Sequence, residues 1–289
     1  MSTAGKDYKN IWNNLSTSFE DAAFYVCCID DEDEIRKNGA LTAEFLKSVL
    51  QIEPDDKVLE IGCGVARIGR ELAPSCGEWH GVDISGNMIA HAKERTEGIP
   101  NIHLHELPDN SLSIFPAESF DCVYSSIVFM HLDKPDMFTY IKEANRVLKP
   151  GGRAYFDTYN ILAPEAWQEF LKIVTSFSSG ERPGHVSQFS SPPELEKFMK
   201  EAGFEDIEIS DLSPALVVTL GRKSRSVHTS PTDPSLDQEL VRARSHIAKV
   251  EAELERKNTA IADLEARLRE REAELVKARA PRLPWKRRV

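Results

Sequence analysis

The sequence has no apolar run of about 18 residues or more, so no transmembrane helix is expected. Its first residues, MSTAGKDYKNIWNN, hold no apolar stretch of the kind a secretory signal carries, and none is expected. Cysteine is scarce. The five residues Cys27, Cys28, Cys63, Cys76 and Cys122 are odd in number, and no pair has metal-ligand spacing. A disulfide framework is thereby disfavoured, and a reducing, cytoplasmic setting fits better. Positive charge is lacking over most of the chain: residues 1–220 carry 36 acids against 19 bases. With no aromatic-basic groove signature either, no nucleic-acid partner is expected.

Beyond a helical start, strand-like and helical runs alternate. In GALTAEFLKSVLQIEP, Leu41, Phe45, Leu46, Val49 and Leu50 recur at helical spacing, and Pro54 ends the run. KVLEIG, EWHGVDIS, IHLHEL, FDCVYSSIVF and RAYFDTYN read as five strands. IGRELAPSC, GNMIAHAKERTEG and DMFTYIKEANRVLKPGG read as helices, the last stopping at Pro-Gly-Gly. SPPELEKFMKEAGF is a further helix, with Pro at its start and Gly at its end. EDIEIS and ALVVTLGRK follow without a helix between them, so the last strand pair is expected to be antiparallel. The expected fold class is α/β, with a doubly wound, seven-stranded, mostly parallel sheet.

Residues 221–289 reverse the charge balance, with 17 bases against 11 acids. Residues 221–235 are rich in Ser, Thr and Pro and read as a linker. In 236–278, Leu240, Ile247, Leu254, Ile261, Leu268 and Leu275 recur every seven residues. A second seam holds Leu236, Ala243, Val250, Lys257, Leu264, Arg271 and Ala278. This pattern predicts a coiled coil, and hence a homo-oligomer. In a parallel dimer Glu239 would face Arg244 of the partner, and Arg267 would face Glu272. The tail at 279–289 has five Lys/Arg, one Trp and no acid, a composition suited to peripheral contact with anionic lipid at the inner face of a membrane.

One further absence argues against a dinucleotide. A dinucleotide loop wants a third Gly, or Ala, at the sixth position after an apolar strand. In VLEIGCGVARIG that position is Arg67. The pattern that fits is Glu-x-Gly-x-Gly-x-Ala: Glu60, Gly62, Gly64 and Ala66, with Cys63 between the glycines. Asp83 closes the second strand, where an acid can bind ribose hydroxyls.

With these motifs the sequence resembles the class I S-adenosylmethionine-dependent methyltransferases over about residues 40–220. VLEIGCG is similar to that family's first motif, and GVDIS with NMIAHAKE to its second. SFDCVYSSIVFMHL is similar to the fourth-strand motif, and EANRVLKPGG to the segment before strand five. The resemblance implies S-adenosyl-L-methionine as cofactor. The loop from Gly62 to Ala66 would hold its methionine part, Asp83 the ribose, and Ile84 and Met88 the adenine side. Ala66 departs from a third Gly. For the adenine amino group Asp109, Asn110, Ser111 and the backbone of Leu112 stay as alternatives, and Ser126 closes the site. The implied domains are an N-terminal helical lid at 1–40, with Trp12, Phe24 and Tyr25 read as packing, and a methyltransferase domain at 41–220. The linker, coiled coil and basic tail follow.

Methyl transfer to a hydroxyl asks for a base near the carboxyl ends of the strands. Three candidates stand there: His131 after strand four, Asp157 at the end of strand five, and His185 in a Gly/Pro-rich stretch. Tyr159, Asn160 and Gln188 are candidate acceptor contacts. The acidic run Asp30–Glu34 reads as a solvated face, Asp133 and Asp136 near His131 offer only a weak alternative for a cation, and no metal is expected. The stretch 110–132 resembles enzymes of bacterial sugar modification. That implies O-methylation of a saccharide hydroxyl in polysaccharide biosynthesis. The alternatives are a natural-product or lipid-head-group O- or N-methyltransferase, and a coiled-coil interaction protein with an inactive head.

Overall fold

The computed structural model describes residues 6–27, 29, 31–178 and 182–225. The coiled coil at 236–278, the tail at 279–289 and most of the linker lie outside them.

Three helices come first: α1 (Tyr8–Asn14), α2 (Phe19–Cys27) and α3 (Glu32–Val49). The acidic run has a local purpose. Asp31 caps α3 through the amide of Glu34 at 3.0 Å, and Glu32, Asp33 and Glu34 occupy the first turn. Negative charge there offsets the positive end of the helix dipole. The buried face of α3 is Ile35, Gly39, Ala43 and Leu46. Leu41 and Phe45 do not belong to it: Leu41 is 75% exposed. The helix also runs unbroken through residue 40, where the sequence placed the edge of a lid.

Strand β1 (Lys57–Ile61) pairs in parallel with β2 (Glu78–Asp83) on one side and β4 (Phe120–Ser125) on the other. Beyond β2 lies β3 (Ile102–Glu106), and beyond β4 lies β5 (Leu148–Asn160), both parallel. Between β2 and β3 runs α5 (Gly86–Arg95), and α6 (Lys134–Val147) leads into β5. After β5 come α7 (Pro164–Ser176), the two-residue β6 (Phe189–Ser190) and α8 (Pro192–Glu201). The closing strands are β7 (Phe204–Asp211) and β8 (Leu216–Lys223). The sheet order is β3-β2-β1-β4-β5-β8-β7, with β6 paired to β5. As the missing helix implied, β8 runs antiparallel to both neighbours. The short β6 is an addition to the seven expected strands.

Two helices end earlier than their sequence patterns. Residues Gly69–Leu72 form α4, after which Pro74 tightens Ala73–Ser75 into a 3₁₀ turn. Helix α6 stops at Val147, not at Pro-Gly-Gly, because Leu148 already pairs with Phe120 and Gly151 turns at φ +80°.

β1 is buried on both faces, so its alternate residues feed two cores. Leu59 and Ile61 pack with Phe120, Phe129, Ile141 and Phe156. Val58 packs with Leu46, Leu50, Trp79 and Tyr155 on the other side. The strand order reverses between β1 and β4. Crevices for ligands open at such a switch point, outside the carboxyl ends of the strands.

Candidate active site

The loop leaving β1 is held from two sides. The amides of Gly62 and Cys63 donate to the carbonyl of Val82 at 2.8 and 2.9 Å. The amide of Gly64 donates to Asp83 Oδ2 at 2.9 Å, and that of Ser85 to Asp83 Oδ1 at 2.9 Å. Residues 62, 64 and 66 all have left-handed backbones, with φ of +73°, +51° and +54°. Two are glycine, which adopts this conformation without steric cost. A side chain at Gly62 would strike Val128, and one at Gly64 would strike Val26. Asp83 is therefore a clamp on the loop as well as a wall of the space beside it. Burial raises its carboxyl to about 6 against the pull of three backbone amides.

That space is a cavity of about 710 Å³, its mouth included. Gly62, Gly64, Asp83, Ile84, Met88, Asn110 and Ser126 are among its lining residues, as are Tyr8, Trp12, Tyr25 and Val26. An acid and an amide face aromatic and aliphatic walls, a donor set suited to an adenosyl group with a charged amino-acid tail. The left-handed glycine loop, open at its backbone, suits that tail.

The other residues singled out for the cofactor lie elsewhere. Glu60 points into the opposite core, where Tyr124 donates to its carboxyl at 2.6 Å and Trp79 donates to Tyr124 at 3.0 Å. Burial raises Glu60 to about 8. Cys63 and Ala66 pack in that same core. Leu112 is fully buried, and its carbonyl accepts from Arg146 at 2.9 Å. Ser111 donates to Asp109 at 2.5 Å in an exposed turn. Of the rivals for the adenine side, Asn110 alone is among the lining residues.

A second, wider cavity of about 1640 Å³, mouth included, adjoins the first. Tyr25, Val26, Ser126, Ile127 and His131 line both. Asp157 builds this shared wall. Its carboxylate accepts from the Ile127 amide at 2.6 Å, Ser126 at 2.9 Å and Tyr155 at 3.0 Å. Ile127 sits at φ +64°, a strained conformation for a β-branched residue that costs about 1–3 kcal/mol. The three hydrogen bonds hold it there, and burial raises Asp157 above the usual carboxylate range. With both oxygens engaged, Asp157 is a brace.

His131 ends a 3₁₀ turn at Phe129–His131. Its Nδ1 lies 2.8 Å from the carbonyl of His185. A carbonyl only accepts, so Nδ1 carries the proton and Nε2 keeps its lone pair. Burial lowers His131 to about 4, leaving it neutral at physiological pH. The Trp12 ring stands edge-on at 5.0 Å, and Tyr8 accepts from the Asp133 amide at 2.8 Å, tying α1 to this turn. Both aromatic residues line the narrow cavity.

His185 and Tyr159 line the wide cavity, where the His185 ring meets Tyr25 at 5.6 Å. Asn160 and Gln188 are not among its lining residues. Asn160 is buried, bonded to Asp211 at 3.0 Å and to the Leu162 amide at 3.1 Å. Gln188 bonds through its backbone to Met130. The mouth is apolar: Phe24, Leu41, Phe45 and Leu212 line it and are exposed. Sequence reasoning passed over Tyr8 and Ile127, read Tyr25 as packing alone, and saw in Arg67 a missing glycine. The aromatic density of the N-terminal segment was the signal for the two tyrosines.

Among the described residues one group has metal-ligand spacing, Glu78, His80 and His103, whose ligating atoms lie within 4.8 Å of one another. It lines neither cavity. Glu78 is bonded there to Lys57 at 2.8 Å and His80 at 3.0 Å.

A family model described as a methyltransferase domain matches residues 58–152. Demethylmenaquinone methyltransferase of Staphylococcus carnosus is 30% identical over 234 residues, 74% of this chain and 92% of that protein. The chain belongs to the class I S-adenosylmethionine-dependent methyltransferases. Phosphoethanolamine N-methyltransferase 1 of Arabidopsis thaliana is 30% identical over 186 residues, 63% of this chain but 35% of that protein. The chain thus spans about a third of the length of such relatives. In fold it is similar to phosphoethanolamine N-methyltransferase 2 of Haemonchus contortus, bound to phosphomonomethylethanolamine and S-adenosylhomocysteine. That match has a TM-score of 0.58 at 18% identity and covers 76% of this chain and 61% of the other.

Proposed function

We propose that the chain methylates an oxygen or nitrogen of a head-group-like acceptor seated in the wide cavity, with S-adenosylmethionine in the narrow one. The observation that carries this reading is His131, which lines both cavities and offers an unprotonated Nε2. When bound, the cofactor supplies an electrophilic methyl group on a sulfonium sulfur. Asp83 and Asn110 would meet its ribose and adenine, Met88 and Ile84 its apolar surface, and the Gly62–Gly64 loop its amino-acid tail. The Ser126–Ile127 wall, which lines both cavities, would align the acceptor with the cofactor, and alignment is the larger part of such catalysis. His131 Nε2 takes the acceptor's proton and later releases it to water. Tyr8, Trp12 and Tyr25 exclude solvent from the meeting point.

Support for a head group over a saccharide comes from the relatives, two of which are named for phosphoethanolamine. The apolar mouth formed by Phe24, Leu41, Phe45 and Leu212 adds to it, since it suits an acceptor presented by lipid. The saccharide reading rests on the resemblance of residues 110–132 and on the expected coiled coil with its basic tip, which lies outside the described residues. In either case residues 236–278 would join copies of the chain and the basic tail would touch lipid, both argued from sequence.

The test is methyl transfer from labelled cofactor into fractionated extract of the source cells. Label in the lipid or small head-group pool, lost with His131→Gln, is expected. Label in the saccharide pool would restore the sugar reading, and label in no pool would remove the activity.

A further inference from the structure

Arg67 occupies the position where the dinucleotide motif wants glycine, and the methyltransferase reading leaves it without a task. Its side chain is 6% exposed and forms part of the wall of the wide cavity. A guanidinium cannot shed its charge on burial, so it needs a partner. The partners present are neutral. Nη1 donates to Asn38 Oδ1 at 2.5 Å and to Thr42 Oγ1 at 3.2 Å, and Nε is buried with no acceptor. No ion pair forms with Arg67 among the described residues. The acids whose field reaches it are Glu60 and Asp157. Tyr124 holds the first, and Ile127, Ser126 and Tyr155 hold the second.

The surroundings are built. A Cβ at Gly39 would collide with the Arg67 carbonyl, so α3 lies directly on the loop and fixes Asn38 and Thr42 beside the guanidinium. Because Asn38 presents Oδ1 to Arg67, its amide nitrogen is turned the other way, and Asn38 also lines the cavity. A cation with unused donors and a neighbouring amide, on the wall of an acceptor cavity, is an oxyanion site lacking its anion.

We infer that Arg67, with Asn38, binds the phosphate of a phosphorylated acceptor. The inference rests on the head-group reading above and assigns the residue that selects for the phosphate. That phosphate can belong to a soluble monoester or to a phospholipid.

The experiment uses the full chain loaded with S-adenosylhomocysteine, titrated calorimetrically with inorganic phosphate, then with O-phosphoethanolamine and ethanolamine. Phosphate and O-phosphoethanolamine should bind and ethanolamine should not. Arg67→Gln should weaken both by tenfold or more, Arg67→Lys by less, with S-adenosylhomocysteine affinity within twofold of wild type in each. Equal phosphate affinity in wild type and Arg67→Gln, no phosphate binding to wild type, or acetate binding as well as phosphate would each overturn the inference. Should Arg67→Gln fail to fold, hydrogen exchange on the wild type decides: phosphate must slow the amides of residues 38–42 and 66–70. Sedimentation with phosphatidylethanolamine vesicles, lost in Arg67→Gln, would identify the lipid source; binding to the soluble monoester alone would identify the other. Methyl transfer that proceeds in Arg67→Gln with unchanged KM sinks the phosphate site and spares the activity. Phosphate binding that depends on Arg67, without methyl transfer to any pool, does the reverse.

Discussion

The two cavities share a wall and are built by opposite means. The narrow one is held by backbone: three left-handed residues, the Val82 carbonyl, and Asp83 bonded to the amides of Gly64 and Ser85. The wide one is held by side chains from distant segments, with Asn38, Arg67, Tyr155, Tyr159 and His185 meeting across the fold. A backbone cradle tolerates little change and suits a ligand common to a whole family. A side-chain wall can be rebuilt residue by residue, which suits an acceptor that differs among relatives.

The largest expected break in this contrast is Asp83→Asn. It turns one acceptor oxygen into a donor facing backbone amides. Affinity for S-adenosylhomocysteine should fall by about 100-fold or more, about 3 kcal/mol, read by calorimetry. Next is His131→Gln, which should lower kcat by about 100-fold while leaving that affinity near wild type. The same residue sets a pH signature. With His131 lowered to about 4, kcat at saturating cofactor should fall only as pH drops toward 4, while the titration of Asp83 at about 6 should appear in cofactor affinity. A limb at about 6.5 in kcat at saturating cofactor, lost with His131→Gln, would contradict the buried, neutral imidazole.

Asp157→Asn tests the shared wall. Its loss should raise the acceptor KM and lower stability by about 2 kcal/mol in urea, because Ile127 is no longer held at positive φ. The smallest effect on ligands is expected from Glu60→Gln, with S-adenosylhomocysteine affinity within about twofold. Its signature is in stability. A carboxyl raised to about 8 in the fold contributes stability that is fully present below about 4.5 and lost as pH rises through 8. Wild type should therefore lose stability relative to Glu60→Gln between pH 5 and 8, read as melting temperature against pH.

The contrast also explains what could be read in advance. The mostly parallel sheet with its antiparallel end follows from alternating runs, and the glycine loop from a local motif, so both were readable along the chain. Glu60 was not, because β1 is buried on both faces and periodicity does not say which core receives the acid. Leu41 and Phe45 share helical spacing with core residues, yet they face the wide cavity; spacing defines a stripe without defining its partner. Asp157 carried the signals of a base, a turn cap and a brace together, and only the hydrogen bonds from Ile127, Ser126 and Tyr155 separate them. Arg67 was visible merely as a failed glycine.

The Ser126–Ile127 wall has a consequence in thermodynamic linkage. One short segment forms a boundary of two ligand spaces, and it is held in strain by a single carboxylate. Any displacement of it by a guest on one side is felt as a change in free energy on the other. By reciprocity, the factor by which the cofactor alters acceptor affinity equals the factor by which the acceptor alters cofactor affinity. If the two spaces hold cofactor and acceptor as proposed, each occupant would act as an effector of the other.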